Sequence, residues 1–207
     1  MLRGISKKTL KNFNIGLLKD NKVNFYDDKN NRIKDKFLEL KSDNFYIDSG
    51  IIFPIVDLFE GIISFNVRNL KFIKGQNIKY YLFPFEKSLY ISGMDKTWKH
   101  ILEEDSVFIF EGFFDFLSAY DNGIKNSVFI CGKNLSKIQL GFLLSFTKNL
   151  ILSFDSDEAG RKSMDKIYNF ILKNTGIKTR RVLLDNFEDP NDFFMKNDKN
   201  NFLKKVV

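Results

Sequence analysis

The second half of the sequence alternates short apolar runs with helical stretches, and that rhythm admits few folds. Residues 106–110 (SVFIF), 127–131 (SVFIC), 149–154 (NLILSF) and 178–184 (KTRRVLL) read as four strands. Helical patterns lie between them at 113–122, from Leu135 to about Thr147, and from Glu158 to about Lys173; Gly123 stops the first and Gly176 the last. A final helix is predicted to begin near Pro190, a residue suited to the first helical turn. Near-continuous apolar strands joined by helices specify α/β architecture: a parallel sheet with helices on its faces. Ligands bind such sheets beyond the carboxyl ends of the strands.

The first half lacks this rhythm. Residues 6–13 read as a short helix with Ser6 as N-cap. Residues 22–26, 50–55, 61–68 and 78–83 read as extended segments, divided by polar turns at 26–31 and 71–77, with no helical period among them. This predicts a small, mostly antiparallel α+β subdomain over residues 1–100 and the parallel-sheet domain over 101–207, with the junction between 92 and 106. There are no internal repeats.

Charge divides in the same place. Residues 1–100 carry 18 Lys and Arg against 11 Asp and Glu, and residues 101–207 carry 15 of each, so the whole net charge of +7 lies in the first half. Part of it reflects coding drift, because 27 Lys against 6 Arg, with 24 Phe, 21 Asn and only 2 Ala, points to AT-rich codons. Its one-sided placement still suits a protein that holds a polyanion on one subdomain. The longest apolar run, 51–56 (IIFPIV), is far short of a membrane span. The opening MLRGISKKTL has no apolar stretch of a secretory signal. A single cysteine, Cys131, excludes an intrachain disulfide, and with a single histidine, His100, it leaves no zinc site. A cytoplasmic, zinc-free protein is expected.

Carboxylates recur where the ligand crevice should be. Glu111 to Asp115 (EGFFD) follows the first strand, Asp155 to Gly160 (DSDEAG) the third, and Glu188 to Asp192 (EDPND) the fourth. Each has a plain structural role available: Asp157 as an N-cap, Glu111 at a helix N-terminus, Asp189-Pro190 as a helix start. A calcium loop beginning at Asp155 fails at its fifth position, Ala159, and its twelfth, Lys166. Three acidic sets at the ends of strands of one sheet repel one another unless protonated or neutralised, and a divalent-metal site accounts for all of them together.

These motifs resemble a known family. EG-x-x-D followed about 40 residues on by D-x-D is similar to the TOPRIM domain, shared by DnaG-type primases, type IA and II topoisomerases and several nucleases. The preceding residues favour the primases. Arg3-Gly4-Ile5-Ser6 with Phe13-Asn14-Ile15-Gly16, Ile52-Phe53-Pro54-Ile55 with Gly61 to Phe65 and Arg68, and Lys79-Tyr80 resemble that family's ordered basic motifs; FDSDEAGR (154–161) and EDP (188–190) complete the series.

The resemblance implies RNA-primer synthesis: a ribonucleotide 3′-hydroxyl attacks the α-phosphate of an incoming NTP on single-stranded DNA. It implies two or more Mg²⁺ or Mn²⁺ ions, with Glu111, Asp155 and Asp157 as the central catalytic carboxylates, Asp115 and Asp189 completing the metal site, and Asn191 at the motif's last acidic position. Arg3, Arg68, Lys79 and Tyr80 would contact template or triphosphate, with Lys133 and Arg161 as further phosphate candidates. The chain departs from the family pattern at Asn66-Val67, where the family has Gly-Gly, at Tyr81-Leu82, where it has Leu-Asn, at Cys131-Gly132-Lys133 for L-G-T, and at Ser92 for a lysine. The expectation is a minimal, phage- or plasmid-like catalytic core, with the zinc module, helicase contact and template selection supplied by other polypeptides. A TOPRIM nuclease and a non-catalytic nucleic-acid-binding subunit are the alternatives; only the primase reading uses the series from Arg3 to Lys79.

Overall fold

The extended segments of the first half pair into one antiparallel sheet. In the computed structural model, which describes residues 3–20, 22–25, 31–41, 45–184 and 189–207, helix α1 (Lys7–Asn12) leads into β1 (Gly16–Lys19) and β2 (Lys22–Phe25). Helix α2 (Asn31–Leu40), β3 (Ser49–Asp57), β4 (Gly61–Asn69) and β5 (Tyr80–Leu82) follow. The order across the sheet is β2-β1-β3-β4-β5. Its centre is the β3–β4 hairpin, in register from Gly50 opposite Asn69 to Asp57 opposite Gly61, with a bulge between Ile55 and Val56.

Two elements here were not expected from the sequence, β1 and α2. Helix α2 is polar along most of its length; of its four apolar residues Leu38 is exposed, and Ile33, Phe37 and Leu40 form a stripe at i, i+4 and i+7. That narrow stripe suffices because the partner surface is aromatic. Phe37 is fully buried, edge-on to Phe65 at 5.2 Å and to Phe83 at 5.3 Å. Most of the chain's phenylalanines among the described residues are core in this way, as Phe-rich composition usually is. The turn expected at 26–31 lies largely outside the described residues.

The chain divides into two compact units, Lys7–Phe85 and residues 3–6 with Glu86–Val207. The second contains α3 (Met94–Glu103), β6 (Val107–Phe110), α4 (Phe113–Asp121), β7 (Ser127–Phe129), α5 (Lys137–Leu144), β8 (Leu150–Ser153), α6 (Glu158–Thr175), β9 (Arg180–Arg181), α7 (Pro190–Phe194) and α8 (Lys199–Leu203). Its sheet is parallel throughout, in the order β7-β6-β8-β9. Gly176, with φ of 74°, caps α6 as its position in the sequence predicts. The fourth strand is shorter than expected. Only Arg180 and Arg181 are in ladder register with β8, and the Val182 amide adds one bond to the Leu152 carbonyl; on the other edge Arg181 exchanges two backbone hydrogen bonds with Val207, and Val182 bridges Val206. An otherwise open sheet edge is thereby covered. No helix among the described residues is long and apolar enough to cross a membrane.

Helix α3 also escaped the sequence reading. It buries Met94, Thr97 and Ile101, and its packing encloses Asp95. Burial pushes the Asp95 carboxyl up to about 6, and the Lys96 ammonium at 3.5 Å offsets this only in part. A folded-state pKa above the unfolded one favours folding at low pH, and that advantage is lost as pH rises from about 4 through 6. Asp95→Asn is therefore expected to stabilise the protein by about 1–3 kcal/mol at pH 8 and by less than about 1 kcal/mol near pH 4.5. Urea melts at the two pH values check this; an equal gain at both would refute it.

Candidate active site

Strand ends and helix starts place the carboxylates. Strand β6 ends at Phe110 and Glu111 follows directly; Gly112, extended, is the N-cap of α4, whose third residue is Asp115. Strand β8 ends at Ser153, and after the buried Phe154 comes Asp155. Asp157 is the N-cap of α6, its Oδ1 accepting from the Gly160 amide at 2.7 Å. Gly160 is there for space: a Cβ would overlap the Asp155 carbonyl oxygen and lie 2.9 Å from its carbonyl carbon. Asp189 is the N-cap of α7, accepting from the Asp192 amide at 2.6 Å, and stands well beyond the end of β9. Glu188 lies outside the described residues.

These groups act on one another. Burial pushes the Glu111 carboxyl above its ordinary value; Asp155 and Asp157 push it further and Lys133 opposes them. Burial carries Asp115 up to about 8, with Asp155 and Asp189 adding to it; the Asn191 amide, 3.2 Å from Oδ1, and Arg3 pull the other way. The five carboxylates singled out in the sequence thus form one electrostatic cluster, linked through Asp155. It is looser than a closed ligand set: among the described residues no three acidic, His or Cys side chains stand ready to hold an ion.

The cations around the cluster differ in placement. Lys133 lines a cleft of about 410 Å³ with Lys87, Ser88, Cys131 and Asn134. Lys87 was missed in the sequence because it belongs to no strand-end motif; a single 3-10 turn, Lys87–Leu89, delivers it. Ser92 is buried, pairs with the Phe129 backbone and lies 3.7 Å from the Cys131 sulfur, and burial pushes that thiol up to about 11. Arg161 lines a different cleft, of about 300 Å³, with Asp155, Ser156 and Arg181. The Arg3 guanidinium sits over the Phe114 ring at 5.1 Å.

Arg68, Lys79 and Tyr80 belong to the other unit and form a group of their own. Arg68 on β4 is paired with Tyr80 on β5, its guanidinium 4.8 Å from the ring centre, and the Lys79 ammonium lies 5.8 Å from the same ring. Tyr80 keeps 39% of its surface exposed. The Asn66-Val67 departure is accommodated locally. Val67 fills the aromatic core, and Gly50 leaves room for it, since a Cβ there would stand 2.7 Å from a Val67 methyl.

Comparison with known proteins gives this arrangement a family. The Toprim-like family model matches residues 108–194. The DNA primase of Aquifex aeolicus is 29% identical over 203 residues, covering 92% of this chain and 40% of that protein. The DNA primase of Helicobacter pylori strain J99 is 30% identical over 203 residues, 92% of this chain and 35% of its own length. The crystal structure of the zinc-binding and RNA polymerase domains of the Aquifex aeolicus primase superposes with a TM-score of 0.78 at 26% identity, over 98% of this chain and 52% of that one. The chain resembles part of the DnaG-type primases.

Its α/β sheet is the Toprim sheet of those enzymes, and the chain spans well under half the length of these two curated relatives. The Toprim-like match implies a divalent cation. The donor chemistry fits one: every candidate ligand is a hard carboxylate oxygen, and a dication relieves the mutual repulsion that adds to burial in raising Glu111 and Asp115.

Proposed function

We propose that this chain is the catalytic core of a DNA primase, joining ribonucleotides into short RNA primers on single-stranded DNA. The observation that carries the reading is the electrostatic coupling of Glu111, Asp155 and Asp157 at the carboxyl edge of a parallel sheet, with Lys133 beside them. The charge of the other unit supports it, since Lys7–Phe85 holds 14 Lys and Arg against 9 Asp and Glu.

On this reading Glu111, Asp155 and Asp157 hold two or more Mg²⁺ or Mn²⁺ ions, with Asp115 and Asp189 supporting them, and an all-carboxylate site favours these hard cations over zinc. Bound ions supply Lewis acidity, neutralising phosphate charge and easing loss of the proton from the attacking 3′-hydroxyl. The chain's own side chains position the reactants. Lys133 and Lys87 grip the triphosphate along their shared cleft, with Arg161 as a further phosphate contact. Arg3, Arg68 and Lys79 hold phosphates of the template, and the exposed face of Tyr80 stacks a base. The Asp157 cap and the Gly160 contact fix the backbone that carries Asp155. The partners are single-stranded DNA and NTPs, with a helicase and a zinc-bearing template-recognition module contributed from outside these 207 residues. The work is done in the cytoplasm, beside the DNA.

Primer synthesis with purified chain, single-stranded DNA, four NTPs and Mg²⁺ or Mn²⁺ tests the proposal. Short RNA products that require Glu111 are expected. DNA shortened without RNA synthesis would overturn it in favour of a nuclease, and binding without turnover in any format would leave only a nucleic-acid-binding role. Lys79→Ala is expected to weaken template binding and to reduce the slope of log affinity against log salt by about one. An unchanged slope in a fluorescence titration would remove Lys79 from the template path.

A further inference from the structure

Residues 3–6 pack with the Toprim-bearing unit, although from Lys7 onward the chain builds the other. Two side-chain latches hold this strap. At one end Asn191, 1% exposed, donates from Nδ2 to the Arg3 carbonyl oxygen at 3.1 Å and to Ser118 Oγ, while its backbone amide donates to Asp115 Oδ1. At the other end the Asp121 carboxylate accepts from the Ser6 amide at 2.8 Å and from Ser6 Oγ at 2.5 Å. Between the latches the backbone is left-handed at Arg3, φ 46°, and again at Gly4, φ 79°. A non-glycine residue rarely adopts that conformation unless its surroundings impose it.

The cost at Arg3 has a visible product: its guanidinium lies over Phe114, the residue next to Asp115. The amide of Asn191 is committed to the strap. Its Oδ1 is buried without a hydrogen-bond partner, and the side chain serves as a donor toward Arg3 and Ser118. An aspartate here has no donor to offer and would set a carboxylate oxygen against the Arg3 carbonyl.

We infer that Asn191 and Asp121 are positioning residues which, by clamping the strap at both ends, hold the Arg3 guanidinium at the edge of the carboxylate cluster for phosphate binding. This rests on the reading of Arg3 as a phosphate contact. Although Asn191 stands at an acidic position of the motif, an acidic residue there should therefore weaken the site.

The test uses the full chain and a fluorescent single-stranded oligonucleotide in EDTA, so that affinity is read without metal or turnover, with thermal melting to confirm the fold. Arg3→Ala sets the scale, an expected loss of about five- to tenfold with a shallower salt dependence. Asn191→Asp and Asp121→Ala are each expected to reproduce most of that loss, and either one combined with Arg3→Ala should bind no more weakly than Arg3→Ala alone. Because Asn191 is buried, the half-buried Asp121 decides the matter if the Asn191 variant melts early. Losses that multiply in the double variants would overturn the inference, as would wild-type affinity of both latch variants when Arg3→Ala binds weakly. Wild-type affinity of Arg3→Ala would instead overturn the phosphate-contact reading and the latch's purpose with it.

Discussion

Glu111→Gln is expected to lower primer synthesis at least about a thousandfold while leaving a folded protein that still binds DNA. The substitution keeps the size and shape of the side chain and removes one negative charge from a position where burial, Asp155 and Asp157 all act against it. The metal-free variant should therefore melt no lower than the wild type in EDTA at neutral pH. The sign follows from the direction of the shift. A carboxyl raised in the folded state costs stability once it is ionised, and glutamine does not ionise. Loss of synthesis with an unchanged or higher melting temperature assigns Glu111 to the chemistry. Activity within a few-fold of wild type would remove it from the metal site, and a sharply lower melting temperature would make it a structural residue.

Gly160→Ala is the smallest change expected to damage both stability and activity. The added methyl would overlap the backbone carbonyl of Asp155, and neither partner is a flexible side-chain end that could swing away. Either the first turn of α6 moves outward or the strand end carrying Asp155 is displaced. Overpacking of this kind costs about 1–3 kcal/mol, which for a chain of this length lowers the melting temperature by about 2–4 °C for each kcal/mol. Displacement of a catalytic group by about 1 Å costs on the order of a hundredfold in rate. Both losses should appear together in melts and single-turnover assays. A variant that melts early yet works at full rate when folded would show that α6 yields instead of Asp155.

The sequence alone disclosed the α/β class, the parallel sheet with helices, and the carboxylates, because those features are local. Strand runs such as VFIF and LILS are apolar on both faces, so they announce burial without any knowledge of their neighbours. Asp157 and Asp189 sit where a cap must be, directly before helices that begin at Glu158 and Pro190. Helix α2 was hidden because four apolar residues in ten, one of them exposed, look polar until the facing aromatic cluster is known. Strand β9 looked longer than it is, because residues 182–184 satisfy a strand pattern, yet beyond the Val182 amide, which still donates to the Leu152 carbonyl, the Leu183 amide turns to the C-terminal Lys205 carbonyl.

Only the tertiary structure could decide which charges meet. Asp115 and Asn191 are 76 residues apart in the chain, and Arg3 and Asn191 are 188 apart. No period or spacing encodes those contacts, since they arise from loop closure and packing rather than from neighbouring residues. The same is true of Lys87, which a single turn delivers to the cleft of Lys133. Composition and pattern therefore determined what kinds of groups this protein has and which strand ends carry them. Packing at long range decided which of them share a site, because charge and hydrogen-bond energies depend on distance through space and not along the chain.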